Sequence, residues 1–492
     1  MSLGYSILFN DNINSTDYTF DERIIYHLSI DKVLADLCPN THEREYFLDI
    51  LRRKTSLKEI DLRRDIISDF LVNPTLYNET YSLFDRFNEL YDTYKQIKRE
   101  TFQINVISSM SIITANNILR SQAVCCKRAF MFIKGFADLF SNFQVKSPGL
   151  NLLKEECLKI STSPDFNRIL SYCSEFEDFS TAGTLNYKIT LDGNGKLATF
   201  SYIEDKYVNI TDPNAKKKKS FFARKDANDE GIPCERISDG NNDFYTKYSI
   251  AALSDFSKLF ANVSEQIFER FLSIREELSF YRTAMRYVRF LTEHKIPFCF
   301  PSFSENANIE AEDLYDLNLL LTHNGLSGVY PNDIRFIENK SGILIFGENG
   351  SGKTVFLRSV GTMQIFAQAG LPIAAKSGKS ALCSQVVTQF SEAEKYFDEG
   401  NEAGRFEQEV REISDMVDNL KPGAMVFLNE TFQSTSYEEG ASGLADILDY
   451  FSRNRIRWIL VSHLKQLLNH FSDNEVSLIR TEEMGYMRSK AK

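Results

Sequence analysis

The run Gly347-Glu348-Asn349-Gly350-Ser351-Gly352-Lys353-Thr354 has the residue types and spacing that grip a phosphate chain. It reads G-x-x-x-x-G-K-T. Glycines let backbone N–H groups curl around phosphate oxygens. A lysine placed as Lys353 is reaches the β- and γ-phosphates of a nucleoside triphosphate, and a hydroxyl placed as that of Thr354 ligates Mg2+. A helix starting at this point adds its positive N-terminal end, with Val355 in its first turn. The expected ligands are ATP and Mg2+.

Two more polar groups stand at the ends of apolar runs. Asn429-Glu430 follows Ala424 to Leu428. Sites that cleave phosphoanhydrides place Asp-Glu there; the Asp holds the metal through water and the Glu polarises the attacking water. Glu430 is the expected catalytic carboxylate. Asn429 keeps an oxygen for the metal and loses the charge. Either Mg2+ binding and hydrolysis are weakened, or Asn429 simply hydrogen-bonds Thr354 and activity survives. Ser462-His463 follows Trp458 to Val461. A histidine at such a strand tip senses a γ-phosphate by hydrogen bonding; a structural histidine is the plain alternative.

These groups need a scaffold that brings strand ends together. Gly342 to Phe346, Ala424 to Leu428 and Trp458 to Val461 are short apolar runs of the kind found in buried parallel strands, separated by helical segments. The texture is α/β from about Ile309, which sets a domain at 306–492. Upstream, residues 1–183 are mainly helical. Tyr77, Tyr81, Phe84, Phe87, Tyr91 and Tyr94 step by threes and fours, an apolar helix stripe best read as core. Residues 184–246 differ. Leu185 to Leu191 alternates as a strand does, Asp192 to Gly195 is a tight-turn sequence, and Leu197 to Ile203 is a second strand-like run. Lys216, Lys217, Lys218 and Lys219 follow. They make either a solvated loop or a tip that neutralises DNA phosphates. In 247–305 the apolar positions Ile267, Phe271, Ile274, Leu278, Tyr281, Met285, Val288 and Leu291 form a heptad-like seam, predicting a helix of ~25 residues and roughly 37 Å.

Composition bounds the class. With 492 residues, 43% hydrophobic and 25% charged, the chain has material for several domains. Its 57 Lys and Arg against 68 Asp and Glu give a net charge of −11, no global argument for nucleic acid. The eight cysteines show no C-x-x-C and no zinc spacing, which fits reduced thiols in the cytoplasm. Neither a signal sequence nor a run of ~20 apolar residues is visible, so no membrane role is expected.

Five short stretches, in order, resemble the ATPase domain of the MutS family, the DNA mismatch-repair proteins of the ABC class. Val329-Tyr330-Pro331-Asn332-Asp333 resembles F-V-P-N-D, whose aromatic stacks on adenine; the resemblance puts Tyr330 and Asn332 at the nucleotide. Phe366-Ala367-Gln368-Ala369-Gly370 resembles M-A-Q-I-G and adds Gln368. Arg405 to Val410 resembles the signature T-F-M-V-E-M, Asn429 to Ser436 resembles D-E-I-G-R-G-T-S, and Ser462-His463 corresponds to T-H. The resemblance covers about Asp313 to Phe471, with weaker similarity of the upstream helices to the family's lever region and of the hairpin and lysine-rich segment to its clamp.

The resemblance implies a multidomain fold: a mainly helical lever/core region with a small β insertion, then an α/β P-loop (ABC-type) ATPase domain. It implies a homodimer that sandwiches nucleotide between two ATPase domains, with Gly404 and Arg405 of one subunit reaching the other's ATP. Gly404 stands where the family carries its signature serine. The chain begins at about the lever region, so the mismatch-reading and connector domains are expected to be missing, and DNA contact would be to phosphates and shape. A DNA-dependent ATPase that moves its levers around DNA, in repair or recombination, is the leading expectation. An ATP-gated interaction module with little hydrolysis is the alternative that Asn429 motivates. A small-molecule kinase is disfavoured because no acceptor-binding lid is evident.

Overall fold

The computed structural model describes residues 6–9, 17–106, 112–177, 187–191, 197–202, 242–303, 309–336, 340–390, 402–432, 436–471 and 476–485. The turn at Asp192 to Gly195, the four lysines Lys216 to Lys219, and Gln433 to Thr435 lie outside the described residues.

Helical periodicity in the first part of the chain is realised as α1 (Arg23–His27), α2 (Ile30–Leu37), α3 (Thr41–Arg52), α4 (Leu57–Val72), α5 (Pro74–Val106), α6 (Ile112–Asn142), α7 (Pro148–Ser161) and α8 (Pro164–Glu177). Local chemistry sets their starts. Ser56 and Glu59 form a reciprocal capping box at α4. Proline occupies the first position of α5, α7 and α8, where its missing N–H costs nothing. Strands β1 (Tyr187–Leu191) and β2 (Leu197–Tyr202) pair antiparallel with Tyr187 opposite Tyr202. Then comes α9 (Asn242–Glu293), 52 residues where the apolar seam alone predicts about half that. The seam marks only the part whose periodicity is regular; no glycine or proline interrupts the 25 residues before it.

Beyond α9 the chain alternates: β3 (Ser302–Phe303), β4 (Glu310–Leu314), α10 (Leu317–Thr322), β5 (Asn332–Arg335), β6 (Gly342–Phe346), α11 (Lys353–Gln368), β7 (Ser377–Ser380), β8 (Gln385–Phe390), α12 (Glu402–Asp418), β9 (Ala424–Asn429), α13 (Tyr437–Arg453), β10 (Arg457–Ser462) and β11 (Val476–Arg480). Five strands make one parallel sheet in the order β11-β6-β10-β9-β8. A second sheet has the order β3-β7-β4-β5. In the parallel sheet, β6 is apolar throughout and β9 and β10 are apolar in their interiors, with polar residues only at their ends (Asn429, Arg457 and Ser462), as the sequence pattern requires. The outer strands β8 and β11 carry Gln385, Thr388, Gln389, Ser477 and Arg480, and periodicity did not flag them. Edge strands bury less and tolerate such residues.

The chain divides into two compact units. One comprises 76–144 and 152–271 with the first two residues; the other comprises 3–75, 145–151 and 272–492. The aromatic stripe of α5 is core in the first: Phe84 and Phe87 are buried and pack on Phe132, Phe136 and Phe271. The second holds both larger sheets. It also holds α1 to α4, which a division at residue 183 assigns elsewhere. Val386 at the edge of the sheet donates its N–H to the Thr19 carbonyl at 2.8 Å, and the His27 ring stacks on Phe390. Periodicity says that a helix buries a face; it does not say which distant segment covers it.

A buried polar cluster ties the start of this unit to its helices. Ile7 and Leu8 are wholly buried. Glu277 accepts the N–H groups of Ile7 and Leu8 at 2.6 and 3.2 Å, the Tyr281 hydroxyl donates to the Ile7 carbonyl, and Arg63 Nε donates to the Leu8 carbonyl at 3.1 Å. Burial pushes the Glu277 carboxyl up to about 7 from 4.5, against the opposing effect of hydrogen bonds from Ser6, Ile7 and Leu8. A carboxyl raised in the folded state binds its proton there more tightly than in the unfolded chain. Folding is then favoured at low pH, and that contribution is lost as pH rises from about 4.5 through about 7, for roughly 3 kcal/mol in all. Glu277→Gln removes this slope. The check is urea unfolding between pH 5 and 8, read by the fluorescence of the single tryptophan, Trp458, which lies in the same unit.

Candidate nucleotide site

β6 delivers the chain to the glycine-rich loop. Ile343, Leu344 and Ile345 are buried, and β6 lies between β10 and β11 with Phe346 opposite Ser462 and Arg480. This register puts the loop beside the C-terminal ends of β10 and β9, where His463, Asn429 and Glu430 stand. Two glycines are dictated by geometry. A Cβ at Gly347 would fall 1.9 Å from the Thr481 hydroxyl, and Gly352 has φ +94° as the N-cap of α11. No side chain caps that helix, so its first N–H groups remain available to an anion.

Lys353 is 5% exposed and donates to the carbonyls of Gly347 and Glu348 at 3.0 and 2.9 Å. Its Nζ also lies 3.7 Å from Glu430 Oε1. The other carboxylate oxygen, Oε2, is 2.6 Å from His463 Nδ1. Glu430 is thus held between Lys353 and His463, a juxtaposition that the separate strand-end readings did not foresee. The edge of the Tyr437 ring system meets His463 at a centroid distance of 6.0 Å. Thr354 donates its hydroxyl hydrogen to Asn429 Oδ1 at 2.9 Å. That leaves the lone pairs of the hydroxyl free for a cation. Two neutral oxygen donors side by side suit Mg2+, which keeps several waters and takes further ligands from phosphates. Ser351 is buried and bonds the Glu348 carbonyl at 2.6 Å, stiffening the loop, while Glu348, Asn349 and Gly350 are exposed. Val355 is half-buried in the first turn of α11.

The Tyr330–Asn332 segment reaches the loop through residues that the sequence reading did not single out. Gly485 donates its N–H to Asn332 Oδ1 at 2.8 Å, and a Cβ at Gly485 would lie 2.3 Å from the Pro331 carbonyl. Four residues earlier, Thr481 packs on Gly347. Residues 481–485 therefore touch both parts of the site. Tyr330 is 41% exposed beside Gly485.

Gln368 is not brought to the loop, which corrects its expected place at the nucleotide. It ends α11, fifteen residues or about 22 Å from Lys353 along the helix. There it is buried, accepting from Cys383 N at 2.6 Å and Gln364 Nε2 at 2.9 Å. Its oxygen satisfies buried donors at the entry to β8. Gly404 and Arg405 lie in the first turn of α12; the Arg405 side chain is outside the described residues. Among the described residues no cluster of three or more His, Cys, Asp or Glu suits a metal ion, and no helix is long and apolar enough to cross a membrane.

Residues 343–485 match the family model described as MutS domain V. Over 159 residues the chain is 30% identical to an "Endonuclease MutS2" of Streptococcus thermophilus, covering 32% of this chain and 20% of that protein. Proteins of the same name from Lactobacillus helveticus and Streptococcus pneumoniae serotype 19F are 32% identical over 145 residues and 26% over 181. Those matches cover 28% and 37% of this chain and 18% and 22% of the relatives, so the matched region spans about a fifth of the curated relatives' length.

Proposed function

We propose, on the premise that this chain is a MutS family member through its domain V, that it is an ATPase coupling nucleotide state to movement of its long helices around DNA, in repair or recombination. One observation carries the ATPase reading: Lys353, Thr354, Asn429, Glu430 and His463, far apart in sequence, converge on one uncapped helix N-terminus. The N–H groups of the loop and of α11 bind the phosphates. Lys353, freed from the Gly347 and Glu348 carbonyls, neutralises the β- and γ-phosphates. Thr354 and Asn429 hold Mg2+, which when bound offsets charge on the phosphate oxygens. Glu430 accepts a hydrogen bond from the attacking water and orients it, and His463 steadies the carboxylate. Tyr330 offers its ring to the base. The site is completed in a homodimer, with Gly404 and Arg405 arriving from a second copy.

The four lysines Lys216 to Lys219 are the proposed DNA-phosphate contacts. The relatives' name speaks of an endonuclease; the match covers too little of them to carry that activity to this chain. The test is ATP turnover with and without duplex or branched DNA, together with binding to duplex, mismatched, branched and single-stranded probes in ATP and ADP at several salt concentrations. Turnover stimulated by DNA supports the reading. Binding to none of the probes removes DNA from it.

Asn429 favours a second reading, an ATP-gated dimeric interaction module with little hydrolysis. The Thr354–Asn429 bond gives the metal site one neutral oxygen where a carboxylate would attract the cation more strongly. Asn429→Asp then raises kcat by about tenfold or more, as one added charge near the metal allows. Brisk wild-type hydrolysis that the substitution leaves unchanged excludes the module.

A further inference from the structure

Glu430 has φ +54° and Phe432 has φ +61°, both in the left-handed region that L side chains avoid. Two such residues within three, immediately after the strand carrying the site, persist only where the surroundings over-determine them. The surroundings are specific. Glu430 N–H donates to the Val461 carbonyl at 2.9 Å. Phe432 is 6% exposed, with its ring near Gly443. Between them Thr431, 2% exposed, donates its hydroxyl to Gln389 Oε1 at 2.6 Å. Gln389 is itself 6% exposed and stands near the end of β8, opposite Leu428 of β9. The Val461 and Phe432 contacts fix the residues on either side; the Thr431–Gln389 bond fixes the peptide joining them.

We propose that Gln389 and Thr431 are positioning residues that aim the Glu430 carboxylate between Lys353 and His463. The pin ties β8, the outer strand of the sheet, to the turn at the end of β9. Were it released, the turn could relax to an ordinary backbone conformation. The carboxylate would then swing off the 2.6 Å contact with His463. Catalysis depends steeply on such aim, since a misplacement of about 1 Å costs on the order of a hundredfold.

This inference rests on the ATPase reading, and its test separates the two. Thr431→Val keeps the shape and removes the hydroxyl; Gln389→Met removes the acceptor. Each is expected to lower kcat by about ten- to a hundredfold while the Kd for ATP stays within about twofold. Thr431→Ser, which keeps the hydroxyl, restores most of the kcat. In a Glu430→Gln background, Thr431→Val has no further effect, because it acts through that carboxylate. Wild-type kcat in Thr431→Val, or an equal loss in both backgrounds, overturns the proposal. A wild type with no ATP turnover above the protein-free rate instead defeats the ATPase reading. The pin is then judged by NMR of the 15N-histidine-labelled protein. The downfield Nδ1–H signal of His463 bonded to Glu430 should disappear in Thr431→Val and return in Thr431→Ser. Its retention in Thr431→Val overturns the proposal.

Discussion

Glu430→Gln lowers kcat for ATP hydrolysis by about 10²- to 10⁴-fold while ATP binding is kept, the range for removing a general base or the carboxylate that orients a nucleophilic water. The substitution is nearly isosteric and removes one negative charge. The glycine-rich loop keeps its internal bonds, because Lys353 donates to the Gly347 and Glu348 carbonyls independently of Glu430. Glu430 Oε1 also competes with phosphate for Lys353, from 3.7 Å. Losing that competitor leaves the Kd for ATP unchanged or somewhat tighter. Single-turnover hydrolysis and equilibrium binding, measured on the same variant, separate the two effects. An unchanged kcat would remove Glu430 from catalysis, and a large loss of affinity would place it in binding.

Arg63→Ala is expected to cost about 3–5 kcal/mol of stability in the unit that carries the parallel sheet. Arg63 is fully buried, and burial lowers its pKa while Tyr281, Glu59, Tyr46 and Glu277 oppose that shift. Its guanidinium donates to the carbonyl of Leu8 and, at 3.4 Å, to that of Ala369 just past the end of α11. Alanine would leave both acceptors and the Glu277 carboxylate without this cation, and would open a cavity beside Phe9 and Phe280. Arg63→Lys keeps the charge without the planar fork and is expected to lose less. Chemical unfolding followed by Trp458 fluorescence measures the difference in the right unit. A loss below about 1 kcal/mol for Arg63→Ala would show the cluster to be marginal to stability.

The chemistry of the candidate site was legible because it is encoded locally. Gly347 to Thr354 is a contiguous motif, and β6, β9 and β10 are apolar runs ending in polar residues. Strand ends of one parallel sheet meet at one edge, so three separate motifs pointed to one place. The aromatic stripe of α5 and the seam of α9 were legible for the same reason, since helical spacing records which face is buried.

Only the tertiary structure decided the rest. Gln368 lies in a stretch that resembles a nucleotide-contact motif, yet α11 runs straight through it and carries it a helix length from Lys353. The Glu430–His463 and Thr431–Gln389 bonds join residues 33 and 42 positions apart. Neither pair has a spacing that betrays it, because the bonds depend on strand order and register. Residues 6–9 are a short polar-apolar segment with no pattern of their own; Arg63, Glu277 and Tyr281 give them a place. By itself the sequence determined the residues able to bind phosphate and the elements that carry them, since both follow from local spacing. Which distant groups aim those residues was settled by packing, where a contact depends on the whole fold.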